Sequence, residues 1–184
     1  ILFGAIGHPK FDNNPKLKIR PEQGLLKLRK ELGLFANLRP LKSYKEILSL
    51  SPIKQEIIDG VDMLIIRELT GGLYFGDKKT NNNISTDICT YSVSEIERVT
   101  NVAIEYAKKR RNKITLIDKA NVLETSRLWR KTVQDISVKH PEIELDYMFV
   151  DNAAMQIILN PKQFDVILTE NLFGDIISDE ASVI

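Results

Sequence analysis

The chain has 184 residues, of which 43% are hydrophobic and 28% charged, and its formal net charge at pH 7 is +1. These values are typical of a soluble globular protein of one or two domains. A net charge this close to zero gives no long-range field that favours nucleic acid or an anionic membrane, so we expect neither as a partner. Every apolar run is shorter than the roughly 18 residues of a membrane span. The single cysteine, Cys89, fits a reducing compartment, and the expected location is the cytoplasm.

The order of patterns along the chain predicts alternating strands and helices, and therefore an α/β fold. An apolar run at 1–7 comes first, followed by a helix at 21–32 that Gly33 ends and a buried strand at 61–66. Glycines, asparagines and alternating aromatic residues over 67–91 predict an extended excursion with a hairpin.

The second half of the chain predicts one further helix and then three strand-helix units. The helix covers 94–111, with Ser94 and Glu97 as its expected capping box. The three units, each given as a strand and the helix that follows it, are 113–118 with 121–140, 145–151 with 152–160, and 164–175 with 176–184.

Charged or polar residues follow the carboxyl end of each predicted strand. The four pairs are Arg67 and Glu68, Asp118 and Lys119, Asp151 and Asn152, and Asn171 and Asp175. Ligands of α/β sheets bind beyond the carboxyl ends of the strands, so these residues predict a binding site. Helix capping is the alternative for the acids and amides. It does not explain Lys119, because the helix dipole disfavours a cation near a helix N-terminus.

Asp175 and Asp179 are spaced i, i+4, which places both carboxylates on one face of a helix. Without a partner, such a pair costs roughly 0.2 to 0.5 kcal/mol through repulsion. A divalent cation such as Mg²⁺ or Mn²⁺, which prefers oxygen ligands, would reverse that sign. The alternative is that both acids only cap and solvate the start of a helix. Glu180 lies on a different face and receives no role.

Three arginines, Arg29, Arg39 and Arg67, lie beside apolar sequence, where an unpaired guanidinium is costly to bury. A guanidinium matches a carboxylate in a bidentate manner, so arginines that converge on one pocket predict a di- or tricarboxylic acid ligand. Structural pairing with glutamates is the alternative, and spacing alone does not decide between the two. The candidate glutamates are Glu22, Glu31 and Glu68.

Five long motifs identify a resemblance that covers essentially the whole chain. They are "GLFANLRP", "RELTGGLYFG", "DKANVLETSRLWR", "VDNAAMQ" and "FDVILTENLFGDIISDEASVI". Together they resemble the isocitrate/isopropylmalate dehydrogenase family, and within it the 3-isopropylmalate dehydrogenases. The resemblance implies the two-domain α/β fold of that family and NAD-dependent oxidative decarboxylation of 3-isopropylmalate in leucine biosynthesis. Sister enzymes that act on isocitrate or tartrate share similar segments and remain alternatives.

The resemblance also implies roles for individual residues in a homodimer whose site is shared between subunits. Arg29, Arg39 and Arg67 match arginines that hold the substrate carboxylates. Tyr74 matches a proton donor, and Lys119 matches a general base that the partner subunit supplies. The implied ligands of Mg²⁺ or Mn²⁺ are Asp175 and Asp179 of one subunit and Asp151 of the other, and Asp151 also borders the substrate.

The helix at 21–32 resembles the segment that selects the substrate within this family. Glu22, Leu25 and Leu26 lie on the turns before Arg29. The leucines would form an apolar pocket for an isopropyl group, whereas isocitrate enzymes carry a Ser and Asn pattern there. This favours isopropylmalate over isocitrate, although helix leucines are also common core residues.

By resemblance, residues 1–34 belong to the first, cofactor-side domain, and residues 35–184 form the central substrate and dimerisation domain with an arm at about 69–91. Most of the NAD site is expected outside these residues, which suggests a partial sequence. "GAIGHPKFD" resembles the family's loop beside the nicotinamide, with His8 where Gly is commoner. A chain without the NAD segment could also be a non-catalytic dimerising or metal-binding module.

Overall fold

The computed structural model describes residues 11, 17 and 20–184, so the apolar run at 1–7 and His8 lie outside the described residues. The helices of the described part are α1 (Pro21–Glu31), α2 (Gln55–Ile58), α3 (Val93–Lys108), α4 (Glu124–Ser137), α5 (Val150–Leu159) and α6 (Asn171–Ala181). Its strands are β1 (Ala36–Lys42), β2 (Asp62–Glu68), β3 (Lys78–Asn81), β4 (Ile84–Asp87), β5 (Lys113–Asp118), β6 (Glu144–Phe149) and β7 (Val166–Thr169).

Five of these strands form one sheet in the order β1-β2-β7-β5-β6, while β3 and β4 form a separate antiparallel hairpin. In the sheet, β2, β7, β5 and β6 are parallel, and β1 is antiparallel to β2 at one edge. The carboxyl ends of four strands therefore lie along one edge of the sheet. The predicted α/β class is confirmed, and polar residues from distant parts of the chain meet at this edge.

The sheet is covered on both faces because its strands bury alternate side chains in opposite directions. Leu64 and Ile66 of β2 pack in the cluster that includes residues of α3 and α4, whereas Met63 and Ile65 pack in the cluster that includes residues of α5 and α6. A strand buried on both faces appears in the sequence as a continuous apolar run. Fully burying one such side chain stabilises the fold by about 1.5 to 3 kcal/mol.

Several predicted elements are confirmed with small shifts. The predicted helix at 21–32 is α1, and Gly33 follows it with φ +62°, a conformation that favours glycine. The predicted hairpin is β3 with β4. No helix in the described part of the chain is long and apolar enough to cross a membrane.

The predicted capping box of α3 was wrong by two residues. Ser92, not Ser94, caps the helix: its Oγ accepts the Glu95 N–H at 3.3 Å, and Glu95 Oε2 accepts the Ser92 N–H at 2.8 Å. Ser92 has extended backbone angles, as a cap requires, whereas Ser94 already lies inside the helix. The two serines offer the same local motif, so only the backbone conformation distinguishes them.

The boundary between the last strand and the last helix was also wrong. The predicted strand at 164–175 ends at Thr169, and α6 begins at Asn171, so Asp175 lies within a helix and not at a strand end. Similarly, α5 begins at Val150 and carries Asp151 in its first turn. Buried strands and buried helix faces both produce apolar runs, so the pattern did not mark the change.

Strand β1, which carries Arg39, was not predicted. Its pairing with β2 places it at the edge of the sheet, where a strand tolerates a residue such as Pro40 that has no backbone N–H. The strand has no fully buried residue, which explains its weak apolar pattern.

Candidate active site

Arg67 lies at the carboxyl end of β2 and is only 1% exposed. Its Nη1 donates to Asp175 Oδ1, and its Nε and Nη2 donate to Asn171 Oδ1 at 3.1 and 2.8 Å. Asn171 and Asp175 belong to α6, which follows β7, the neighbour of β2 in the sheet. The strand order therefore brings together residues more than 100 positions apart. A buried guanidinium is tolerated here because it is both ion-paired and hydrogen-bonded.

Arg39 pairs with the same face of α6 from the edge strand. Its Nη1 lies 3.0 Å from Asp179 Oδ1 and also donates to Ser178 Oγ, and its Nη2 lies 3.7 Å from Asp175 Oδ1. The two carboxylates spaced i, i+4 thus share one face of a helix. Arg39 and Arg67 of the same chain offset the repulsion between these two carboxylates. Each arginine therefore has structural partners in addition to any ligand.

A cavity of about 370 Å³ opens between α1 and this group. Its lining residues are Glu22, Leu25, Leu26, Arg29, Arg67, Tyr74 and Asp175. The structure thus brings together the predicted selectivity helix, two of the three predicted arginines and the predicted proton donor. Within the described residues, the Arg29 side chain has no acidic hydrogen-bond partner. It lines the cavity together with Arg67, and two guanidinium groups in one cavity favour an anionic ligand.

Burial and neighbouring charges perturb the titration of the groups around the cavity. Burial, together with the charge of Arg67, lowers the pKa of Arg29. Burial is the main cause that raises the pKa of Tyr74 to about 12, and the hydrogen bond to Asp175 adds to the shift. The Tyr74 hydroxyl donates to Asp175 Oδ2 at 2.8 Å. This hydroxyl stays protonated at neutral pH, as a proton donor requires.

A second group lies at the same edge of the sheet, on the side of β5 and β6. Lys119 follows β5, and its Nζ lies 2.5 Å from Oδ1 of Asp151 in α5. The hydrogen bond from Lys119 lowers the pKa of the Asp151 carboxyl. The ion pair is partly exposed, with 68% of the Asp151 side chain accessible, and it is therefore open to a further partner.

The predicted metal ligands are only partly assembled within one chain. Asp175 and Asp179 offer hard oxygen donors on a common face, which suits Mg²⁺ or Mn²⁺. Across the part of the chain that the structure describes, however, no three Asp, Glu, His or Cys side chains converge closely enough to hold a metal ion. Asp151 therefore does not join Asp175 and Asp179 in the single chain. Within the described residues, the pair therefore offers at most part of the protein ligand set of a metal ion.

Ser178 and Glu170 at this edge had no predicted role, and Asn171 was predicted only as one of the polar residues that follow a strand. Asn171 is fully buried between Arg67 and the turn at Gly71, and Ser178 contacts Arg39. Glu170 is 5% exposed, and its Oε2 has no hydrogen-bond partner among the described residues. The sequence carried one signal for them: polar side chains inside an otherwise apolar segment. Their partners could not be read from it.

The whole chain, residues 1–184, matches the family model described as isocitrate/isopropylmalate dehydrogenase. The chain belongs to this family. It is 56% identical over 184 residues to the 3-isopropylmalate dehydrogenase of Bacteroides fragilis (strain YCH46), and 54% identical over 188 residues to that of Heyndrickxia coagulans. Both alignments include 100% of this chain but only 52% and 51% of the relatives. The chain thus spans about half the length of the curated relatives it matches.

Solved structures of the isocitrate/isopropylmalate dehydrogenase family share the fold. The crystal structure of isocitrate dehydrogenase from Methylococcus capsulatus superposes with a TM-score of 0.78 at 35% identity, over 85% of this chain and 46% of that one. A beta-decarboxylating dehydrogenase from Thermococcus kodakarensis, in its apo form, gives a TM-score of 0.71 at 36% identity, over 86% of this chain and 44% of that one. The family and fold predicted from the motifs are therefore confirmed.

Proposed function

We propose that this chain is the substrate-side part of an NAD-dependent 3-isopropylmalate dehydrogenase. The complete enzyme would convert 3-isopropylmalate to 4-methyl-2-oxopentanoate and CO₂ in leucine biosynthesis. The observation that carries the proposal is the cavity that Arg29 and Arg67 line together with Leu25 and Leu26. The names of the relatives from Bacteroides fragilis and Heyndrickxia coagulans support the same activity.

The lining of the cavity favours isopropylmalate over isocitrate. Both acids carry carboxylates that arginines can bind in a bidentate manner. They differ in the substituent at C3, which is an isopropyl group in isopropylmalate and a carboxymethyl group, with a third carboxylate, in isocitrate. Leu25 and Leu26 would contact the isopropyl group favourably, whereas an unpaired carboxylate against them would be costly to desolvate. The apolar wall therefore discriminates between the two acids.

We assign the remaining roles by position. Tyr74 would donate a proton to the product, because this residue lines the cavity and its raised pKa of about 12 keeps it protonated. Arg29, Arg39 and Arg67 would hold the substrate carboxylates, with Glu22 at the rim of the cavity. Lys119 would accept the proton of the substrate hydroxyl, and its hydrogen bond to Asp151 would orient it.

The proposed enzyme is a homodimer whose site is shared. In one chain, Lys119 and Asp151 pair with each other and not with the residues of the cavity. A second copy that contributes its own Lys119 and Asp151 would complete the site. The hairpin β3 with β4 would belong to an arm, at about 69–91, that pairs between subunits. Its strands are exposed, which leaves them available for such pairing.

The proposed cofactors are NAD and Mg²⁺ or Mn²⁺. The metal would be held by Asp175 and Asp179 together with Asp151 of the second copy. When bound, such an ion supplies positive charge that polarises a substrate oxygen. We assign residues 1–34 to the cofactor-side domain and residues 35–184 to the substrate domain, with most of the NAD site outside this chain. The proposed compartment is the cytoplasm.

Assays of the full-length protein test this proposal. NADH formation is measured with isopropylmalate, isocitrate and tartrate, each with and without Mg²⁺ or Mn²⁺. We expect activity that depends on the metal and is highest with isopropylmalate. Preference for isocitrate or tartrate would assign the chain to a sister activity. No turnover of any acid would support the alternative of a non-catalytic dimerising module.

A substitution in the apolar wall tests the assignment of substrate. Leu25→Ser is expected to lower kcat/KM for isopropylmalate about 10- to 100-fold, because the isopropyl group loses its apolar contact. Lys27→Ser, at an exposed position of the same helix, is the matched control. An equal loss in both variants would show that Leu25 does not contact the substrate.

A further inference from the structure

Asn171 is the first residue of α6 and is fully buried at the edge of the sheet where the cavity lies. It makes three kinds of hydrogen bond at once. Its Oδ1 accepts from Arg67 Nε and Nη2, its Nδ2 donates to the carbonyl oxygen of Gly71 at 3.0 Å, and its backbone N–H donates to the Tyr91 hydroxyl at 3.0 Å. The side chain thus connects an arginine of the cavity to the segment that precedes Tyr74.

The contact with Arg67 determines which way the guanidinium points. With Nε and Nη2 both engaged by Asn171, Nη1 is directed at Asp175 Oδ1. Gly174 lies against the aliphatic stem of Arg67, because a Cβ at that position would lie 2.6 Å from Arg67 Cγ. A planar guanidinium held at both ends loses little freedom when it binds a carboxylate.

The contact with Gly71 is one of the hydrogen bonds that hold the turn leading to Tyr74. Gly71 begins the short 3-10 turn of Gly72–Tyr74, and Gly72 adopts φ +71° with its N–H donating to Thr90 O at 3.1 Å. At the end of this turn, the Tyr74 hydroxyl reaches Asp175 Oδ2. Asp175 therefore accepts a hydrogen bond from Arg67 on one carboxylate oxygen and from Tyr74 on the other. Asn171 contacts Arg67 directly and also contacts Gly71, in the turn that leads to Tyr74.

We infer that Asn171 is a positioning residue that orients Arg67 for substrate binding and holds the Tyr74 turn for proton donation. The inference rests on the proposed function, because it assumes that both residues act on the substrate. An amide is required because one side chain must accept from a cation and donate to a carbonyl at the same time. Aspartate retains the acceptor but places an oxygen against the Gly71 carbonyl, and leucine retains neither interaction.

The aspartate variant should therefore damage mainly kcat of the full-length enzyme, whereas the leucine variant, which loses both contacts, should damage KM as well as kcat. Asn171→Leu leaves Arg67 Nε and Nη2 unpartnered, and we expect KM for isopropylmalate to rise about 10- to 100-fold. Asn171→Asp keeps Arg67 in place but repels the turn, so kcat should fall about 10-fold or more, while KM changes by less than about threefold. Asn101→Asp and Asn101→Leu, on the exposed face of α3, are the matched controls.

A double mutant separates positioning from a general loss of structure. If Asn171 affects substrate binding through Arg67, Asn171→Leu introduced into an Arg67→Lys enzyme should raise KM by less than about threefold further. Additive effects, or a rise in KM that is as large in Asn171→Asp as in Asn171→Leu, would overturn the inference. If Asn171→Leu fails to fold, Asn171→Asp alone tests the inference. A fall in kcat with little change in KM would support it, and an equal change in both would overturn it.

A measurement without turnover distinguishes failure of the inference from failure of the proposed function. Arginine-selective ¹⁵N labelling reports the Nε–H of Arg67, identified by its loss in Arg67→Lys. We expect this signal to be protected from exchange in the wild type and in Asn171→Asp, and to be lost or rapidly exchanging in Asn171→Leu. Protection in Asn171→Leu would overturn the inference. An inactive wild type with the expected pattern would refute only the proposed activity.

Discussion

The buried carboxyl of Glu170 makes the stability of this protein depend on pH. Glu170 connects β7 to α6 and is 5% exposed. Burial is the main cause that raises its pKa from 4.5 to about 7, and the charges of Glu68 and Asp118 on neighbouring strands add to the shift. Tyr91 and Cys89 are the other titratable groups that interact with it. Its ionised form is therefore disfavoured in the folded state.

The sign and the size of the effect follow from this shift. Between pH 4.5 and about 7, the folded state binds more protons than the unfolded state, so stability falls as the pH rises through this window. A shift of this size corresponds to about 3 kcal/mol at 1.36 kcal/mol per unit. We expect Glu170→Gln to raise the free energy of unfolding by up to about 3 kcal/mol at pH 8 and to change it little at pH 4.5.

Urea unfolding of the full-length protein at pH 4.5, 6 and 8 measures this effect. The matched substitution is Glu68→Gln, at a fully buried carboxylate that accepts from Thr70 N at 3.0 Å, Gly71 N at 2.7 Å and Arg98 Nη2 at 3.2 Å. It should destabilise the fold at pH 8, opposite in sign to Glu170→Gln. A constant effect of Glu170→Gln across the pH range, or a loss of stability at pH 8, would refute the reasoning.

Three further substitutions test the site in the full-length protein. Gly174→Ala should lower kcat/KM and cost about 1 to 3 kcal/mol of stability, because the new Cβ would collide with Arg67. Gly24→Ala is the control, because open space surrounds Gly24, and it should lower neither kcat/KM nor stability. Urea unfolding and steady-state kinetics compare the two variants. Tyr74→Phe should lower kcat about 10²- to 10⁴-fold with little change in KM, and a change confined to KM would contradict its role as proton donor. Lys119→Ala should lower turnover far more than it weakens Mg²⁺ binding measured by calorimetry; similar losses in both would rule out the general-base assignment.

Local patterns in the sequence were sufficient for much of the fold. The apolar run at 61–66 marked β2, because a strand buried on both faces has no polar alternation. The leucine spacing before Gly33 marked α1, because helix periodicity and a glycine stop signal are both local. The family motifs were confirmed by the match over the whole chain. The roles of the site residues and the domain boundaries stay predictions.

Local patterns failed where two structures share one pattern. Apolar residues recur on both sides of Glu170 and Asn171 in the segment 164–175, yet this segment contains all of β7 and the start of α6. Strand β1 was missed because an edge strand has little buried surface to mark it. In both places the packing of the complete sheet selects the conformation.

The sequence by itself determined which side chains this protein could use: three arginines, an i, i+4 pair of aspartates, a tyrosine and a lysine near predicted strand ends. Only the tertiary structure decided their partners. Arg67 pairs with Asp175 and Asn171 because β2 lies beside β7, whereas Lys119 pairs with Asp151 because β5 lies beside β6. Periodicity is a property of neighbouring residues, but strand order depends on how all the helices and strands bury their apolar faces together.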